Sequence, residues 1–251
     1  MTAGWREVGD RVFVRRHREL DLNCGLVVGD GGCLVVDTRS HLGEGRALAE
    51  AVRSITPHPW AVVNTHAHFD HCFGNAAFRP ADVWGHRSCA AELEATGEQQ
   101  RASVVTGLRE DGDPAAELVA TAPIDPPDRL VDDVAVLDVG GRAVTLRHLG
   151  RGHTGADLVV AVDDVVFAGD LVEEGSPPAM EDAYPLEWAP TLTALLELVR
   201  GPVVPGHGSV VDADFVAAQR DELARLAAWL SDPATPPPFD DVTRETARTR
   251  V

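Results

Sequence analysis

Short apolar runs alternate with polar, glycine-rich joints along most of the chain. Residues 11–15, 23–28 and 33–37 are rich in Val, Leu and Phe, and Gly29-Asp30-Gly31-Gly32 between the last two is a hairpin turn. These runs predict antiparallel strands. A helix is predicted over 41–54, with Ser40 as its N-cap and Pro57 and Pro59 beyond its end. Trp60-Ala61-Val62-Val63 is apolar throughout, the pattern of a strand covered on both faces. Val83 and Trp84 predict another short strand. Residues 88–109 have a helical pattern broken near Gly97, and 111–128 form a connector rich in proline and aspartate. Strands resume from Leu130, over 134–139, 142–149, 158–162 and 165–168. Helices are predicted over 187–200 and 212–230, the second with Phe215, Leu223, Leu226 and Leu230 near one face.

The order strands, helix, strand and polar loop occurs twice, which fits two similar halves with facing sheets. At 251 residues, 44% of them apolar and 25% charged, the chain has ordinary globular composition. A single domain is expected over residues 1–235, with 88–128 as a pocket-forming insertion. The tail 236–251 opens on three prolines and is expected to pack loosely or be disordered.

Charge narrows the partners. Forty acidic residues oppose 22 basic ones, all of them arginine, for a net charge of -18. An acidic surface argues against nucleic acid or an anionic bilayer as the main partner. No apolar run reaches membrane-spanning length. The opening MTAGWREVGD does not read as a signal peptide. The cysteines (Cys24, Cys33, Cys72 and Cys89) have no zinc-finger spacing. A small-molecule partner and a cytoplasmic location are therefore expected.

Histidine carries the chemistry. His66-Ala67-His68-Phe69-Asp70-His71 packs three imidazoles and a carboxylate into six residues directly after the buried-type strand. In extended chain, positions i and i+2 point the same way, so His66 and His68 can reach one ion. Asp70 and His71 follow where the chain turns and can face a second. Gly152-His153-Thr154, Gly169-Asp170 and Gly206-His207-Gly208 are further polar segments at strand ends. Imidazole and carboxylate are the donors that divalent zinc, iron or manganese take. Together these residues make seven candidate ligands, enough for two ions. The isolated His17, His41, His58 and His148 are read as ordinary surface or hydrogen-bonded residues. Cys72 is read as a small packing residue and His86 as a structural histidine.

In order and spacing, the chain resembles the metallo-β-lactamase superfamily. The resemblance rests on residues 64–71 (NTHAHFDH), Gly152-His153-Thr154 with Asp157, Phe167-Ala168-Gly169-Asp170 and Pro205-Gly206-His207-Gly208, and it spans residues 10–230. The Val35-Val36-Asp37-Thr38 strand end also fits. The resemblance implies an α/β fold, a four-layer αββα sandwich with metals at one edge of the facing sheets. It implies His66, His68 and His153 at a first metal, Asp70, His71 and His207 at a second, and Asp170 as the bridging carboxylate. Asp170 is similar to the bridging residue of glyoxalase II and lactonases, which β-lactamases of the family lack. Lactonases also use a tyrosine near the metals. Tyr184 stands in position for that part, or for simple packing. A homodimer is common in the family.

The expected activity is metal-dependent hydrolysis of an ester, thioester, lactone or related acyl bond by a metal-bridging hydroxide. Two divalent ions, zinc first and iron or manganese next, are the expected cofactors, and Asp70 is the expected catalytic residue. The alternatives are a β-lactam hydrolase, a mononuclear iron persulfide dioxygenase and a non-catalytic metal-binding protein. Phe69, Phe73, Trp84, Met180 and Trp188 are candidates for an apolar pocket wall. Arg87, Arg101 and Arg109 can meet a carboxylate or simply solvate a helix face.

Overall fold

Two twisted sheets face each other across a dry aliphatic layer in a computed structural model that describes residues 4–232, 234–236 and 238–251. The first sheet has seven strands in chain order: β1 (Arg6–Gly9), β2 (Val12–Arg16), β3 (Asn23–Val28), β4 (Cys33–Val36), β5 (Trp60–Val63), β6 (Val83–His86) and β7 (Arg129–Val131). The second has five: β8 (Val134–Asp138), β9 (Ala143–His148), β10 (Leu158–Val162), β11 (Val165–Glu173) and β12 (Val203–His207), with β12 beside β11. Hairpins make β1 to β4 and β8 to β11 antiparallel, whereas β4 to β7 and the pair β11–β12 are parallel.

The helices are α1 (Leu42–Arg53), α2 (Phe69–Cys72), α3 (Arg87–Glu110), α4 (Ala115–Ala120), α5 (Trp188–Leu196), α6 (Ala213–Ser231) and α7 (Asp241–Arg248). Leu48, Ala49 and Val52 of α1 pack on the outer face of the first sheet with Leu26, Val35 and Val62. Trp188, Leu192 and Leu195 of α5 and Leu223 and Leu226 of α6 cover the outer face of the second with Val159 and Val166. Val14, Val27 and Leu34 meet Leu146, Val160 and Phe167 between the sheets. Alternate residues of one strand thus feed opposite layers, which is why the strands read as continuous apolar runs. The result is the expected αββα sandwich. A Cβ on Gly25 would lie 2.4 Å from the Phe167 ring, so glycine there lets the sheets close.

Several local expectations change. β1 precedes the first predicted strand. The cap of α1 is His41, whose Nδ1 accepts from the amides of Gly43 at 3.1 Å and Glu44 at 3.4 Å; Ser40 does not fill that place. α3 runs unbroken through Gly97, where a Cβ would stand 3.0 Å from Ile124, so this glycine makes room for a neighbour. The connector contains α4. The run expected over 165–168 continues as a strand to Glu173.

The loosely packed tail is also corrected. α7 follows Pro236 and Pro238 (Pro237 lies outside the described residues). Asp240 caps it by accepting from the Thr243 amide at 2.8 Å. Ala247 is fully buried, and the guanidinium of Arg248 lies 4.2 Å from the centre of the Trp229 ring on α6. Among the described residues no helix is long and apolar enough to cross a membrane.

Candidate metal centre

The polar segments converge where β5, β11 and β12 end. His66 and His68 lie in the turn that leaves β5, and Asp70 and His71 lie on α2. His153 stands in the loop between β9 and β10, Asp170 within β11 and His207 at the end of β12. Asn23 at the start of β3 joins the two halves here, donating from Nδ2 to the carbonyls of Pro205 at 3.0 Å and Gly208 at 2.9 Å.

Two groups of donor atoms result. In the first, His68 Nδ1 stands 3.0 Å from His66 Nε2 and 2.9 Å from His153 Nε2. Asp170 Oδ2 lies 3.6 Å from His66 Nε2 and 3.4 Å from His153 Nε2. In the second, His207 Nε2 is 3.4 Å from both His71 Nε2 and Asp70 Oδ2, and His71 Nε2 is 3.6 Å from Asp70 Oδ2. Asp170 borders this group as well, with Oδ1 3.2 Å from His71 Nε2 and Oδ2 3.3 Å from His207 Nε2. All seven candidate residues are therefore brought together, and Asp170 stands between the two groups.

The strand geometry explains the position of Asp170. Gly169 has φ +54°, and the β11–β12 register is irregular on either side of it. A bulge of this kind re-aims the next side chain. A Cβ on Gly169 would meet Thr65 at 2.8 Å, and one on Gly206 would lie 1.7 Å from Asp170 Oδ1. Both glycines are needed for the close approach of backbone to this carboxylate.

A second layer of groups fixes the rings. Asp37, at φ +62° and 2% exposed, accepts from the Thr65 amide, the Thr65 hydroxyl and His71 Nδ1, each at 2.8 Å. A non-glycine residue in that conformation is strained, and three convergent bonds hold it. Thr65 Oγ1 is 3.0 Å from His66 Nδ1, and His207 Nδ1 donates to the Leu20 carbonyl at 2.7 Å. His68 turns its outer Nε2 to Asp182 Oδ2 at 2.9 Å. Asp157 accepts from the Thr154 amide and hydroxyl and shapes the turn that carries His153.

Burial and charge act in opposite directions across the cluster. Burial holds the His66 imidazole well below its usual pKa and brings His153 down to about 4, so both are neutral donors. Burial also opposes charge on His71 and His207, but Asp170 and Asp70 outweigh it, holding His71 well above the usual value and raising His207 to about 12. Asp170 is held well below the usual carboxylate range: burial disfavours its charge, and the surrounding histidines more than compensate.

These residues fit divalent cations. Ligand atoms roughly 2.0–2.1 Å from a tetrahedral centre stand roughly 3.3–3.4 Å apart, and the spacings above scatter around that value. Asp170 Oδ1 is buried without a hydrogen-bond donor, although buried polar atoms are nearly always satisfied. A cation between the groups supplies the missing partner and takes over the role of the histidine protons. The two clusters are suited to one or two divalent ions.

The cluster forms the floor of an open cavity of about 1070 Å³. Leu20, Phe69, Val104 and Ala179 supply apolar wall, and Glu92, Thr96, Gln99, Gln100 and Ser103 of α3 line one side. Of the expected apolar wall, only Phe69 lines this cavity. Phe73, Met180 and Trp188 are core residues, and Trp84 faces a different hollow. Arg87 pairs with Asp132, Arg101 with Glu98, and Arg109 with Glu117. Tyr184 also lies outside the cavity wall, with Arg151 4.4 Å over its ring. Cys72 is buried, with Sγ 3.0 Å from the His68 carbonyl, and His86 stacks on His148. Sequence reading missed Leu20, Glu92, Gln100, Asp182 and Arg250, which no local motif marks.

A family model of the metallo-β-lactamase superfamily matches residues 18–207. The chain belongs to this superfamily. It is 30% identical over 216 residues to the acyl-coenzyme A thioesterase MBLAC2 of Gallus gallus, covering 76% of this chain and 74% of that one. Its fold is similar to a metallo-β-lactamase from Pontibacter korlensis, with TM-score 0.67 and 17% identity over 87% of this chain and 97% of that one. It is also similar to the sec-alkylsulfatase Pisa1 from Pseudomonas sp., with TM-score 0.71 and 18% identity over 92% of this chain and 42% of that one. In this superfamily member the metal-binding histidine–aspartate cluster is the candidate active site.

Proposed function

We propose that the protein is a binuclear metal-dependent hydrolase of acyl bonds, with thioesters as the first class to test and esters and lactones next. One observation carries this reading: two groups of donors, with Asp170 in the first and 3.2 Å and 3.3 Å from His71 and His207 of the second, lie at the floor of a cavity wide enough for a small molecule. The likeness to an acyl-coenzyme A thioesterase supports the thioester bond. The likeness to solved β-lactamases concerns the fold, so β-lactams stand second.

His66, His68 and His153 would hold one cation, Asp70, His71 and His207 the other, and Asp170 both. Zinc suits this set of imidazole and carboxylate donors. Bound there, the pair of cations supplies a water of lowered pKa and polarises the substrate carbonyl. The chain contributes position and proton transfer. Asp70 lines the cavity and is held ionised by His71 and His207 against the cost of its burial. Its carboxylate orients the attacking water, takes its proton and hands that proton to the departing thiolate or alkoxide as the acyl carbon–sulfur or carbon–oxygen bond breaks. Leu20, Phe69 and Val104 receive the acyl group.

The test joins elemental analysis of purified protein to a panel of thioesters, esters, lactones and β-lactams. Two zinc ions per chain and thioester turnover are expected. Asp70→Asn is expected to lower kcat by about 10²–10⁴-fold while the far-ultraviolet circular dichroism is unchanged. Full activity in that variant refutes the proton-transfer role. A single iron with no hydrolysis favours the persulfide dioxygenase instead.

A further inference from the structure

Five polar side chains of α3 face the cavity: Glu92, Thr96, Gln99, Gln100 and Ser103. Spacings of three and four residues put them on one side of the helix. From 92 to 103 the stripe runs about 16 Å. Cys89, Ala90, Leu93 and Val105 of the same helix are buried. Every other charged residue of α3 stands outside the cavity wall, Glu94, Glu98 and Arg109 among them. The cavity side instead carries amides and hydroxyls, with Glu92 at one end. Solvation alone gives no reason to sort neutral groups from charged ones in this way.

Where their hydrogen bonds are fixed, these groups have acceptors left over. Thr96 Oγ1 gives its one proton to the Glu92 carbonyl at 2.9 Å, so only its lone pairs remain. Gln100 donates from Nε2 to the Ala67 carbonyl at 3.2 Å, between His66 and His68, and its Oε1 has no donor. That bond also ties α3 to the loop that carries the candidate ligands. Among the described residues no donor meets the Glu92 carboxylate. Burial, and then the charge of Asp182, push its pKa above the usual value. An incoming donor favours its ionised form. The complement of such a wall is a ligand with N–H or O–H groups to give. Alkyl chains, ethers and esters have none.

We propose that the α3 wall is a subsite for the leaving thiol, and that this thiol carries an amide N–H donor a few bonds from its sulfur. The inference rests on the thioester reading above. In that reading the apolar residues take the acyl group, which leaves the polar stripe to the portion beyond the sulfur. An amide is uncharged, so it also suits a cavity whose wall includes Glu174, Glu181 and Asp182.

The test compares two thioesters of one acyl group on the metal-loaded full chain. One is built on N-acetylcysteamine. The other is built on 2-mercaptoethyl acetate, which puts an ester oxygen where the first has N–H. Release of free thiol is followed. Wild type is expected to prefer the amide by about tenfold in kcat/KM, the size of a hydrogen bond to a polar or charged acceptor. The preference is expected to shrink to about threefold in Glu92→Met and in Thr96→Val, and to vanish in the double variant. A wild-type preference below twofold, or one that persists in the double variant, overturns the proposal. If wild type turns over neither thioester, the hydrolase reading fails on its own. The subsite is then decided by calorimetry with the S-alkyl thioethers of the same two thiols. Tighter binding of the amide upholds it, and equal affinities or no binding overturn it.

Discussion

At the scale of single residues, the centre depends on what the backbone leaves out as much as on its ligands. Gly206 has no Cβ where one would stand 1.7 Å from Asp170 Oδ1. Gly206→Ala must push that carboxylate out from between the two groups or distort β12. It is expected to lower zinc affinity at least about tenfold, as disturbed ligand orientation does. Bound zinc after gel filtration checks this, with stoichiometry falling below that of wild type. Retention of full stoichiometry would mean that Asp170 is not needed between the groups. The ligand types were legible in the sequence because three histidines and an aspartate crowd residues 66–71. The tautomer of each was not, since it depends on partners such as Asp37, Leu20 and Asp182 that only the fold supplies.

At the scale of elements, strands were easier to read than their ends. β5 occupies the predicted apolar run because both faces are covered, and α6 follows its apolar stripe. β11 continues beyond 168 because Gly169 and Asp170 are accommodated by a bulge, which looks in sequence like the end of a strand. α5 anchors this region through Trp188, which is fully buried and donates from Nε1 to the Leu171 carbonyl at 3.1 Å. Trp188→Ala is expected to cost about 3–5 kcal/mol in urea unfolding, because it opens a cavity and removes one of the two bonds to the Leu171 carbonyl, which keeps the one from Gln219 Nε2 at 3.0 Å. A loss below about 1 kcal/mol would mean that the site collapses around the smaller residue.

At the scale of the whole molecule, the proposed function makes charge the expected selector among substrates and bound cations the expected support of the rim. The cavity carries Glu92, Glu174 and Glu181 beside Asp182, with Arg250 the one arginine in its wall among the described residues. The same acyl group is therefore expected to bind better on a small neutral thiol than on a polyanionic nucleotide thiol. The difference in KM should be about tenfold at low salt and should narrow as ionic strength rises. Paired kinetics on two such thioesters measure it, and a lower KM for the polyanion contradicts it. Removal of metal leaves several carboxylates and histidines facing one another. At a free metal concentration a hundred times Kd, binding adds about 2.7 kcal/mol of stability. Each kcal/mol moves Tm by about 2–4 °C in a chain of this size. Chelation is accordingly expected to lower Tm by several degrees while the far-ultraviolet spectrum persists. An unchanged Tm would show that the folded chain binds no metal.

By itself the sequence determined the strand runs, the main helices, the kinds of ligand and their order, because each is written in neighbouring residues through periodicity, turn chemistry and donor type. Tertiary structure alone decided that Asp170 stands between the two groups, that Phe69 but not Trp188 faces the cavity, and that residues 241–248 form a docked helix carrying Arg250 toward the rim. The reason is physical. These contacts join positions as far apart as His68 and Asp182, and such a meeting is fixed by the packing of one sheet on the other rather than by any local pattern.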